Sequence, residues 1–345
     1  MMIKKRKIIF IVNPKSGTQS KKNIIHIIKE RIDKNAIDYV IVETKFAGHA
    51  VTLAKEAVDE GADVVVAIGG DGTVNEVARS LVHTNTALAI IPCGSGNGLA
   101  RHLNIPMDAK GAIDIINNNE IICMDYGKIN SKPFFCTCGV GFDAFVSLKF
   151  AGSNKRGLLT YLENTLHESL SYVPESYEIE SEEGTKKYKA FLIACANASQ
   201  YGNNAYIAPQ ASITDGVMDI TILEPFTVLD VPSLAFQLFN KTIDQNSRIK
   251  TIRSKKIKIH RSSPGVIHFD GDPVMDEKDV VVEIIPSGLN VVIGKMRKEE
   301  IPTNVMQQML DYFNGLSPIE KEVFQKKYKS LFYLNKQLLK RRTKK

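Results

Sequence analysis

The sequence predicts two architectures in one chain: an α/β domain with a mostly parallel sheet in residues 1–127 and a mainly β, sandwich-like domain in residues 128–286. Short apolar runs rich in Val and Ile alternate with apolar stripes of helical period as far as Gly127, which is typical of a parallel sheet covered by helices. Beyond this glycine, short extended runs follow one another between turn residues, which is typical of an antiparallel sandwich. The 345 residues, of which 43% are hydrophobic, are sufficient for a core in each domain.

The first domain contains four predicted strands and three predicted helices. The third strand is the clearest, because Val64 to Ile68 is an unbroken apolar run that stops at two glycines. The helices are predicted from apolar residues that recur every three or four positions. The strands are Ile8–Val12, Tyr39–Val42, Val64–Ile68 and Ala87–Ile91, and the helical stripes run over Ile24–Ile32, Ala50–Val58 and Val74–Val82.

Glycine-rich turns follow the first, third and fourth strands. They span residues 13–17, 69–73 and 92–98, and in a parallel sheet all three lie at the same edge. A strand, a glycine turn and a helix in this order leave backbone N–H groups and a positive helix end pointing into the turn, which favours an anion such as phosphate. Each turn alone is equally well explained as a plain connection, but three converging turns favour one phosphorylated ligand.

Asp71 lies inside the second of these turns. A carboxylate beside a phosphate repels it unless a metal ion or a nucleotide hydroxyl lies between them, so Asp71 indicates a nucleotide site with Mg2+. Two common nucleotide motifs do not occur: the sequence has no GxxxxGK[ST], and Gly94, Gly96 and Gly98 lack the GxGxxG spacing. A Walker-type NTPase and a dinucleotide oxidoreductase are therefore not supported.

Composition and charge indicate a cytoplasmic protein. The net charge of +7 is modest and there is no tryptophan, so nucleic acid is not expected as a partner. The five cysteines lack CxxC spacing and are expected to be reduced. Lysines precede the apolar run at Ile8, as in a signal peptide, but this run ends at Asn13-Pro14 and predicts a first strand. No apolar stretch approaches the about 20 residues of a membrane span.

The second domain is predicted from a series of extended runs. Lys256 to His260 is the most regular, because polar and apolar residues alternate strictly, as in a half-exposed antiparallel strand. Helical inserts are predicted at about 158–171 and 231–241. The remaining extended runs are 128–141, 188–197, 218–223, 266–269 and 280–285.

The last segment, residues 287–345, begins with a predicted strand at Leu289–Ile293 and is otherwise helical in pattern. Ser317, Pro318 and Glu320 have the spacing of a capping box with proline at the first helical position. The end, 340–345, is a basic tail that is either a solvated terminus or a contact for anionic lipid heads.

Longer motifs surround the glycine turns and continue through most of the chain. They are NPKSG at 13–17, Thr44 with GHA at 48–50, GGDGTVNEV at 69–77, PCGSGNGLAR at 92–101, GVGFDA at 139–144, NASQYGNNAYIAPQASITDGVMDI at 197–220 and FDGD at 269–272. With these motifs the sequence resembles the diacylglycerol kinase catalytic-domain family, which includes bacterial soluble lipid kinases and eukaryotic sphingosine and ceramide kinases. GGDGT alone is shared with NAD kinases, whereas GGDGTVNEV with GSGN and the late DGVMD block is much more specific.

The resemblance implies an N-terminal nucleotide-binding domain like that of NAD kinases and diacylglycerol kinases, and a last segment that returns to it. ATP would lie between the two domains, with Asp71 and its neighbours holding Mg-ATP. Glu76 would either support this site or contribute favourable charge at a helix start. The positions that match nucleotide-contacting residues are Asn13, Pro14, Lys15, Ser16, Gly17, Thr44, Gly69, Gly70, Asp71, Gly72, Thr73, Val74, Asn75, Glu76, Gly94 and Ser95.

Asp71, Asp270 and Asp272 are the catalytic candidates that the resemblance implies. Asp270 matches the family's proposed general base, which would orient the acceptor hydroxyl and accept its proton while a metal ion neutralises charge. An aspartate before glycine is also a common turn pair, which is the alternative interpretation of Asp270. Asp272 stands where the family usually has glutamate, so the second carboxylate is one methylene shorter.

A structural Mg2+ position of some bacterial members is matched by Asp215. The backbone carbonyls of Ser212 and Val217 would complete this site. A plain β-turn at Thr214-Asp215-Gly216 is the alternative interpretation.

The activity implied by the resemblance is ATP- and Mg2+-dependent phosphorylation of a membrane lipid, and therefore a role in lipid metabolism or phospholipid biosynthesis. The acceptor would be diacylglycerol or a sphingoid-type alcohol, the membrane contact would be peripheral, and a homodimer is left open. An NAD kinase-like phosphotransferase and a non-catalytic nucleotide-binding regulator are the alternatives. The lipid pocket would include Phe142, Phe145, Phe150, Leu158, Leu159, Tyr161 and Leu162, but as core residues these need no lipid, which is the favoured interpretation for most of them.

Overall fold

A computed structural model of the chain contains two β-sheets. Within the described residues the larger sheet has ten strands and the smaller sheet has six. The predicted insert at 158–171, the capping box at Ser317 and the basic tail at 340–345 lie outside these residues. The described residues are 5–17, 19–151, 172–227 and 230–295.

The first four strands run parallel and form one end of the larger sheet. They are β1 (Arg6–Val12), β2 (Ile37–Glu43), β3 (Val64–Gly69) and β4 (Ala87–Pro92). Their spatial order is β2-β1-β3-β4, with the central β3 and β4 buried along their whole length. Buried parallel strands are continuous apolar runs rather than alternating ones, which is why this sequence pattern predicted them correctly.

Helices connect these strands and pack on the sheet. They are α1 (Lys21–Arg31), α2 (His49–Asp59), α3 (Asp71–Leu81), α4 (Gly98–His102) and α5 (Ala109–Asn118). The three predicted helical stripes correspond to α1, α2 and α3. The sequence did not predict α4 and α5. The Ser20 side chain caps α1 by accepting from the Asn23 amide, and Asp108 caps α5 by accepting from the Gly111 amide.

The rest of the described chain is mainly β, as predicted. Its strands are β5 (Ile121–Ile129), β6 (Lys132–Phe134), β7 (Thr137–Gly141), β8 (Glu175–Ser181), β9 (Gly184–Ala190), β10 (Leu192–Ala196), β11 (Met218–Leu223), β12 (Ile249–Ser254), β13 (Lys256–His260), β14 (Gly265–Phe269), β15 (Asp272–Asp276) and β16 (Asp279–Val292). Its helices are α6 (Phe142–Ala151), α7 (Val231–Phe239) and a short 3₁₀ helix, Ile243–Gln245. The predicted helix at 231–241 corresponds to α7, whereas α6 was not predicted.

A sandwich forms where the smaller sheet, in the order β12-β11-β10-β7-β14-β15, faces the far end of the larger one. Buried side chains of both sheets share one cluster, which includes Val140 and Ile220 from the smaller sheet and Ile259 and Val282 from the larger one. In β13, Ile257 and Ile259 are buried between outward lysines, which confirms the predicted alternation.

Strand β16 joins the two halves of the larger sheet. It pairs antiparallel with β13 and β5, and near its end Val291 lies in parallel register with Leu88 of β4. The pairing shifts register between Ile285 and Leu289. The sequence predicted two strands here, whereas the structure contains one strand with an irregularity, because the turn-forming residues at 286–288 interrupt the pairing without ending it.

A helix that crosses a bilayer needs about 20 consecutive, mainly apolar residues. Among residues 5–17, 19–151, 172–227 and 230–295, none of the helices has both the length and the apolar character needed to cross a membrane.

Candidate active site

The three glycine turns meet at the carboxyl edge of β1, β3 and β4, as predicted. The Asn13 amide donates to the Ile68 carbonyl at 3.0 Å, and its side-chain amide donates to Thr73 Oγ1 at 3.0 Å. The Cys93 amide donates to the Gly69 carbonyl at 2.8 Å. These contacts tie the first and third turns to the second one, so residues far apart in sequence form one surface.

Two glycines are required where the turns touch. Gly17 has a φ of +58°, and a Cβ at this position would overlap the carbonyl oxygen of Cys93. A Cβ on Gly94 would lie 2.7 Å from the Cα of Gly70. Backbone therefore packs directly on backbone here, which any side chain would prevent.

Some predicted nucleotide residues are accessible at this edge and others support it from below. The buried members are Ser16, Gly69, Thr73, Val74 and Asn75. The exposed members are Pro14, Lys15, Gly17, Gly72 and Ser95. Gly72 at the start of the eleven-residue helix α3 and Ser95 in the third turn leave a backbone amide and a hydroxyl accessible to an anion.

Asp71 binds the third turn. Its Oδ2 accepts from the Asn97 amide at 2.8 Å and its Oδ1 accepts from the Gly98 amide at 2.8 Å. Burial raises the pKa of Asp71, while these amide hydrogen bonds and the nearby Arg101 oppose the increase. With its own amide as a third donor, about one of the four lone-pair positions of the carboxylate is left, so Asp71 fits a role in holding a nucleotide-bound cation as well as the turn.

Glu76 and Thr44 lie on the α2 side of the edge. The Glu76 carboxylate accepts from the Gly48 amide at 3.0 Å and from the Ala50 amide at 3.2 Å, so it satisfies the first N–H groups of α2. The Thr44 amide donates to the Val12 carbonyl at 2.9 Å. Glu76 therefore fixes the loop that follows Thr44, a contact between helices that neither sequence interpretation included.

Asp270 lies in the turn between β14 and β15 with a φ of +49°. Its Oδ1 accepts from the Cys136 amide at 2.8 Å and from the Thr137 amide at 3.2 Å. Its Oδ2 accepts from the Phe135 amide at 2.9 Å and from Asn75 Nδ2 at 2.8 Å. A carboxylate has about four lone-pair positions, so the donors among the described residues fill all of them.

Asp270 is therefore a bridge in this arrangement, holding α3 against the segment between β6 and β7. Burial raises the pKa of Asp270, and the hydrogen bonds from Phe135, Asn75, Cys136 and Thr137 oppose this increase. An acceptor hydroxyl can reach Asp270 only by replacing one of these donors.

Asp272, at the start of β15, is exposed and lies opposite Phe269. Partial burial of its carboxylate raises the pKa of Asp272, against the opposing charge of Arg79, and the Glu76 and Asp71 carboxylates raise the pKa further. The shorter side chain therefore still lies in the electrostatic field of Asp71, on the same side of the molecule as the glycine turns.

Residues 199–204 of the mainly β half pack on the third turn. The Asn203 amide donates to the Gly96 carbonyl at 3.0 Å, and His102 Nδ1 lies 3.0 Å from Ser199 Oγ. A Cβ on Gly98 would lie 3.1 Å from the Tyr201 carbonyl. Burial lowers the pKa of His102 to about 4, so this histidine is neutral at physiological pH.

A buried polar group behind Asp270 was not predicted. Asp143 Oδ2 accepts from the Tyr201 hydroxyl at 3.2 Å and lies 3.1 Å from His268 Nε2. Gly139 allows this approach, because a Cβ there would lie 2.5 Å from Asp143 Oδ2. The GVGFDA motif contains Asp143, but its pairing with a histidine 125 positions away has no local sequence signal.

At the predicted metal position, Asp215 forms an ion pair. Asp215 Oδ2 binds Arg253 Nη2, and Asp215 Oδ1 accepts from the Val217 amide at 3.3 Å. Ser212 Oγ lies 3.5 Å from Thr214 Oγ1. A guanidinium on the carboxylate that would ligate Mg2+ does not fit a divalent cation at this place.

The proposed lipid-pocket residues are only partly described. Phe142 is buried, and its ring centroid lies 4.4 Å from that of Phe191 and 5.3 Å from that of Tyr172. Phe145 stacks on Phe142 at 6.4 Å. The side chain of Phe150 and the whole of Leu158, Leu159, Tyr161 and Leu162 lie outside the described residues.

Comparisons with known proteins agree with this architecture. The diacylglycerol kinase catalytic domain model matches residues 7–129, and the YegS C-terminal NAD kinase beta sandwich-like domain model matches residues 136–293. The chain is 28% identical over 302 residues to a diacylglycerol kinase of Mycobacterium tuberculosis, covering 83% of this chain and 94% of that protein. It is 26% identical over 279 residues to a diacylglycerol kinase of Bacillus subtilis, covering 78% of this chain and 90% of that protein.

The fold is shared with a solved structure. The crystal structure of a diacylglycerol kinase from Bacillus anthracis superposes with a TM-score of 0.67 at 20% identity, covering 84% of this chain and 97% of that chain. The two domain matches lie end to end along this chain and correspond to its α/β and sandwich halves. The chain therefore belongs to the diacylglycerol kinase catalytic-domain family.

Proposed function

We propose that this protein is a lipid kinase that transfers the γ-phosphate of ATP, with Mg2+, to the hydroxyl of a membrane lipid. The observation that carries the proposal is the junction at which three glycine turns meet an aspartate-bearing turn of the sandwich half, joined by the Asn75–Asp270 hydrogen bond. A phosphate-binding edge and carboxylates beside it are the parts that phosphoryl transfer to an alcohol needs. The names of the Mycobacterium and Bacillus relatives support a lipid as the acceptor.

The exposed turn residues are assigned to the nucleotide. Lys15, Gly72 and Ser95 lie at the accessible edge, and the N-terminal end of α3 contributes its positive dipole. Mg2+ bound with the phosphates would neutralise the charge that develops during transfer, with Asp71 and Asp272 as the carboxylates available to hold it. The chain's own part is to place the γ-phosphate in line with the acceptor oxygen.

Two aspartates are candidates for the general base that accepts the proton of the acceptor hydroxyl. The family resemblance assigns the general base to Asp270, and this assignment requires the acceptor hydroxyl to replace a donor such as the Asn75 amide. Asp272 is the alternative, since it is exposed and its raised pKa makes the carboxylate a stronger proton acceptor than an ordinary aspartate. Substituting each aspartate separately distinguishes the two assignments.

The lipid is assigned to the aromatic cluster around α6 and α7. Phe142 and Phe191 are buried in it, and the partly buried Tyr172 packs against both. Leu148, Val173 and Phe236 nearby in the chain are exposed by 45%, 76% and 50%, which is unusual for large apolar side chains and supports peripheral membrane contact. Diacylglycerol and a sphingoid-type alcohol both present a hydroxyl beside long acyl chains, and either fits this description.

The test is phosphate transfer from labelled ATP and Mg2+ to vesicles that contain diacylglycerol, monoacylglycerol, a sphingoid base, ceramide or undecaprenol, and to NAD. We expect label in one lipid, and its loss in Asp272→Asn or Asp270→Asn. Asp59→Asn, an exposed aspartate at the end of α2, is the matched control and keeps full activity. Label in NAD alone would replace the proposal with an NAD kinase. ATP binding without transfer to any acceptor would replace it with a nucleotide-binding regulator.

A further inference from the structure

Arg253 lies between two aspartates at the end of the smaller sheet. It is the direct cross-strand partner of Asp219, with β12 and β11 antiparallel at this point. Arg253 Nε lies 3.3 Å from Asp219 Oδ1, and Arg253 Nη2 binds Asp215 Oδ2. The Asp219 side chain is 4% exposed and that of Asp215 is 32% exposed. One guanidinium therefore forms ion pairs with a buried carboxylate and with a half-buried one.

These two carboxylates share one cation, the Arg253 guanidinium. Asp219 Oδ2 is buried and has no hydrogen-bond partner among the described residues. Without the guanidinium, the site would hold two like charges, one of them on a buried side chain.

The turn that carries Asp215 is connected to the larger sheet through Asp125. The Gly216 amide donates to Asp125 Oδ2 at 2.7 Å, and the Ser287 amide donates to Asp125 Oδ1 at 2.7 Å. The Asp125 amide donates to the Ile213 carbonyl at 2.7 Å. The segment from 213 to 216 therefore links β5 to the irregularity of β16, and its order affects the strand that joins the two halves of the larger sheet.

A divalent cation and this guanidinium compete for the same oxygen. Mg2+ requires ligand oxygens at about 2.0–2.1 Å in nearly octahedral arrangement, and Asp215 Oδ2 is already bound to Arg253 Nη2. Two positive groups on one carboxylate oxygen also repel each other. Arg253 would have to leave both aspartates before the metal position implied by the family resemblance could form.

We propose that the guanidinium of Arg253 takes the place of a divalent cation at the 212–219 turn. The turn is then held by a residue of the chain itself, and its order does not depend on the metal concentration. Where the proposed function holds, Mg2+ is then needed only with the nucleotide. This inference is independent of the proposed lipid kinase activity, because its test uses the nucleotide-free full-length chain.

The test is thermal unfolding in EDTA and in millimolar MgCl2 or CaCl2 at constant ionic strength. Wild-type protein is expected to unfold at the same temperature in all three solutions. Arg253→Gln is expected to unfold several degrees lower in EDTA and to regain much of this loss with either metal. Adding Asp215→Asn to Arg253→Gln is expected to abolish the gain. Arg248→Gln removes an exposed arginine that lies 3.7 Å from Asp230, and this control should show no metal dependence.

Other outcomes overturn the proposal. A saturable metal-dependent rise in the wild-type midpoint that Asp215→Asn removes would show that a divalent cation binds the native turn despite Arg253. If Arg253→Gln lowers the unfolding temperature equally with and without metal, Arg253 forms an ordinary ion pair and does not replace a cation. Unchanged unfolding of Arg253→Gln in every solution would show that neither cation is needed.

Discussion

Asp270 accepts a hydrogen bond from the side-chain amide of Asn75 at 2.8 Å, and this contact joins α3 to the turn between β14 and β15. The two residues are 195 positions apart in the chain. The helix begins at the GGDG turn, and the β14–β15 turn carries both later aspartates. The hydrogen bond therefore connects the helix that follows the GGDG turn directly to the turn that carries Asp270 and Asp272.

Replacing Asn75 with alanine should weaken this junction. The substitution removes one donor from the buried Asp270 carboxylate, and an unsatisfied buried group costs about 1–3 kcal/mol. We expect a loss of this size in the free energy of unfolding, measured by urea denaturation. Asn85→Ala, at an exposed position after α3, is the control and should cost less than half as much. Equal losses in both variants would argue against a structural role for the Asn75–Asp270 contact.

Asp272→Asn and Asp270→Asn should differ in their effects. Asp272 is exposed, so the asparagine variant should fold normally and lose about 10²-fold or more in kcat if its carboxylate orients the hydroxyl or takes its proton. In Asp270→Asn, an NH2 group would face backbone donors, so unfolding should shift to lower urea concentration. Steady-state kinetics and urea denaturation of both variants separate these effects, and wild-type kcat in Asp272→Asn would exclude Asp272 from catalysis.

The raised pKa of Asp272 also predicts a pH profile. A protonated carboxyl group cannot accept the hydroxyl proton, so the rate should rise with pH through a pKa above the ordinary aspartate value of 3.8. Arg79→Gln removes the positive charge that opposes this increase and should move the acid limb of kcat to higher pH. An acid limb that stays in place in Arg79→Gln would assign it to a different group.

Glu76→Gln should affect the fold more than the chemistry. Both carboxylate oxygens accept amides at the start of α2, and a glutamine offers only one acceptor oxygen for the two N–H groups. We expect a loss of about 1 kcal/mol in the free energy of unfolding and little change in kcat. A large decrease in kcat with unchanged stability would instead place Glu76 at the metal-nucleotide site.

Gly17→Ala should be far more damaging than Gly48→Ala. Both glycines have positive φ, but a Cβ on Gly17 would overlap the Cys93 carbonyl, whereas a Cβ on Gly48 has no atom within 4 Å. Gly48→Ala should therefore lower the free energy of unfolding by only about 1 kcal/mol, the cost of placing a residue with a Cβ in the left-handed backbone region. Gly17→Ala should in addition separate the first and third turns and weaken ATP binding, measured by calorimetry. Similar ATP affinity in the two variants would mean that these turns need not touch.

Features set by neighbouring residues could be predicted from the sequence. The apolar run Val64 to Ile68, its glycine stop and the helical stripe behind it are local, and together they determine β3, the second turn and α3. Strand β5 was missed, because Asp125, Tyr126 and Gly127 look like a turn and the strand does not alternate in burial. Helix α6 was missed because it is apolar all round and follows a glycine motif.

Contacts between distant segments could not be predicted. The sequence identified Asp270 through a family motif, but the donors that fill its carboxylate belong to Asn75 and to the amides of Phe135, Cys136 and Thr137. Asp270 forms these hydrogen bonds because of how the two sheets pack, and the local sequence does not indicate this packing. The Arg253 contact with Asp215 has the same origin, since it arises from the pairing of β11 with β12.

His102 should make stability depend on pH in a defined window. Burial, with a smaller contribution from Lys241, lowers the pKa of His102 from 6.5 to about 4. The contribution of neutral His102 to the free energy of unfolding is therefore complete above pH 6.5. It is lost as the pH falls towards about 4, and the free energy of unfolding decreases by about 3 kcal/mol or less. His102→Asn offers Ser199 an acceptor that does not titrate here, so its free energy of unfolding should fall less steeply between these pH values. Parallel urea-denaturation curves of wild type and variant across this window would show that His102 is not the titrating group.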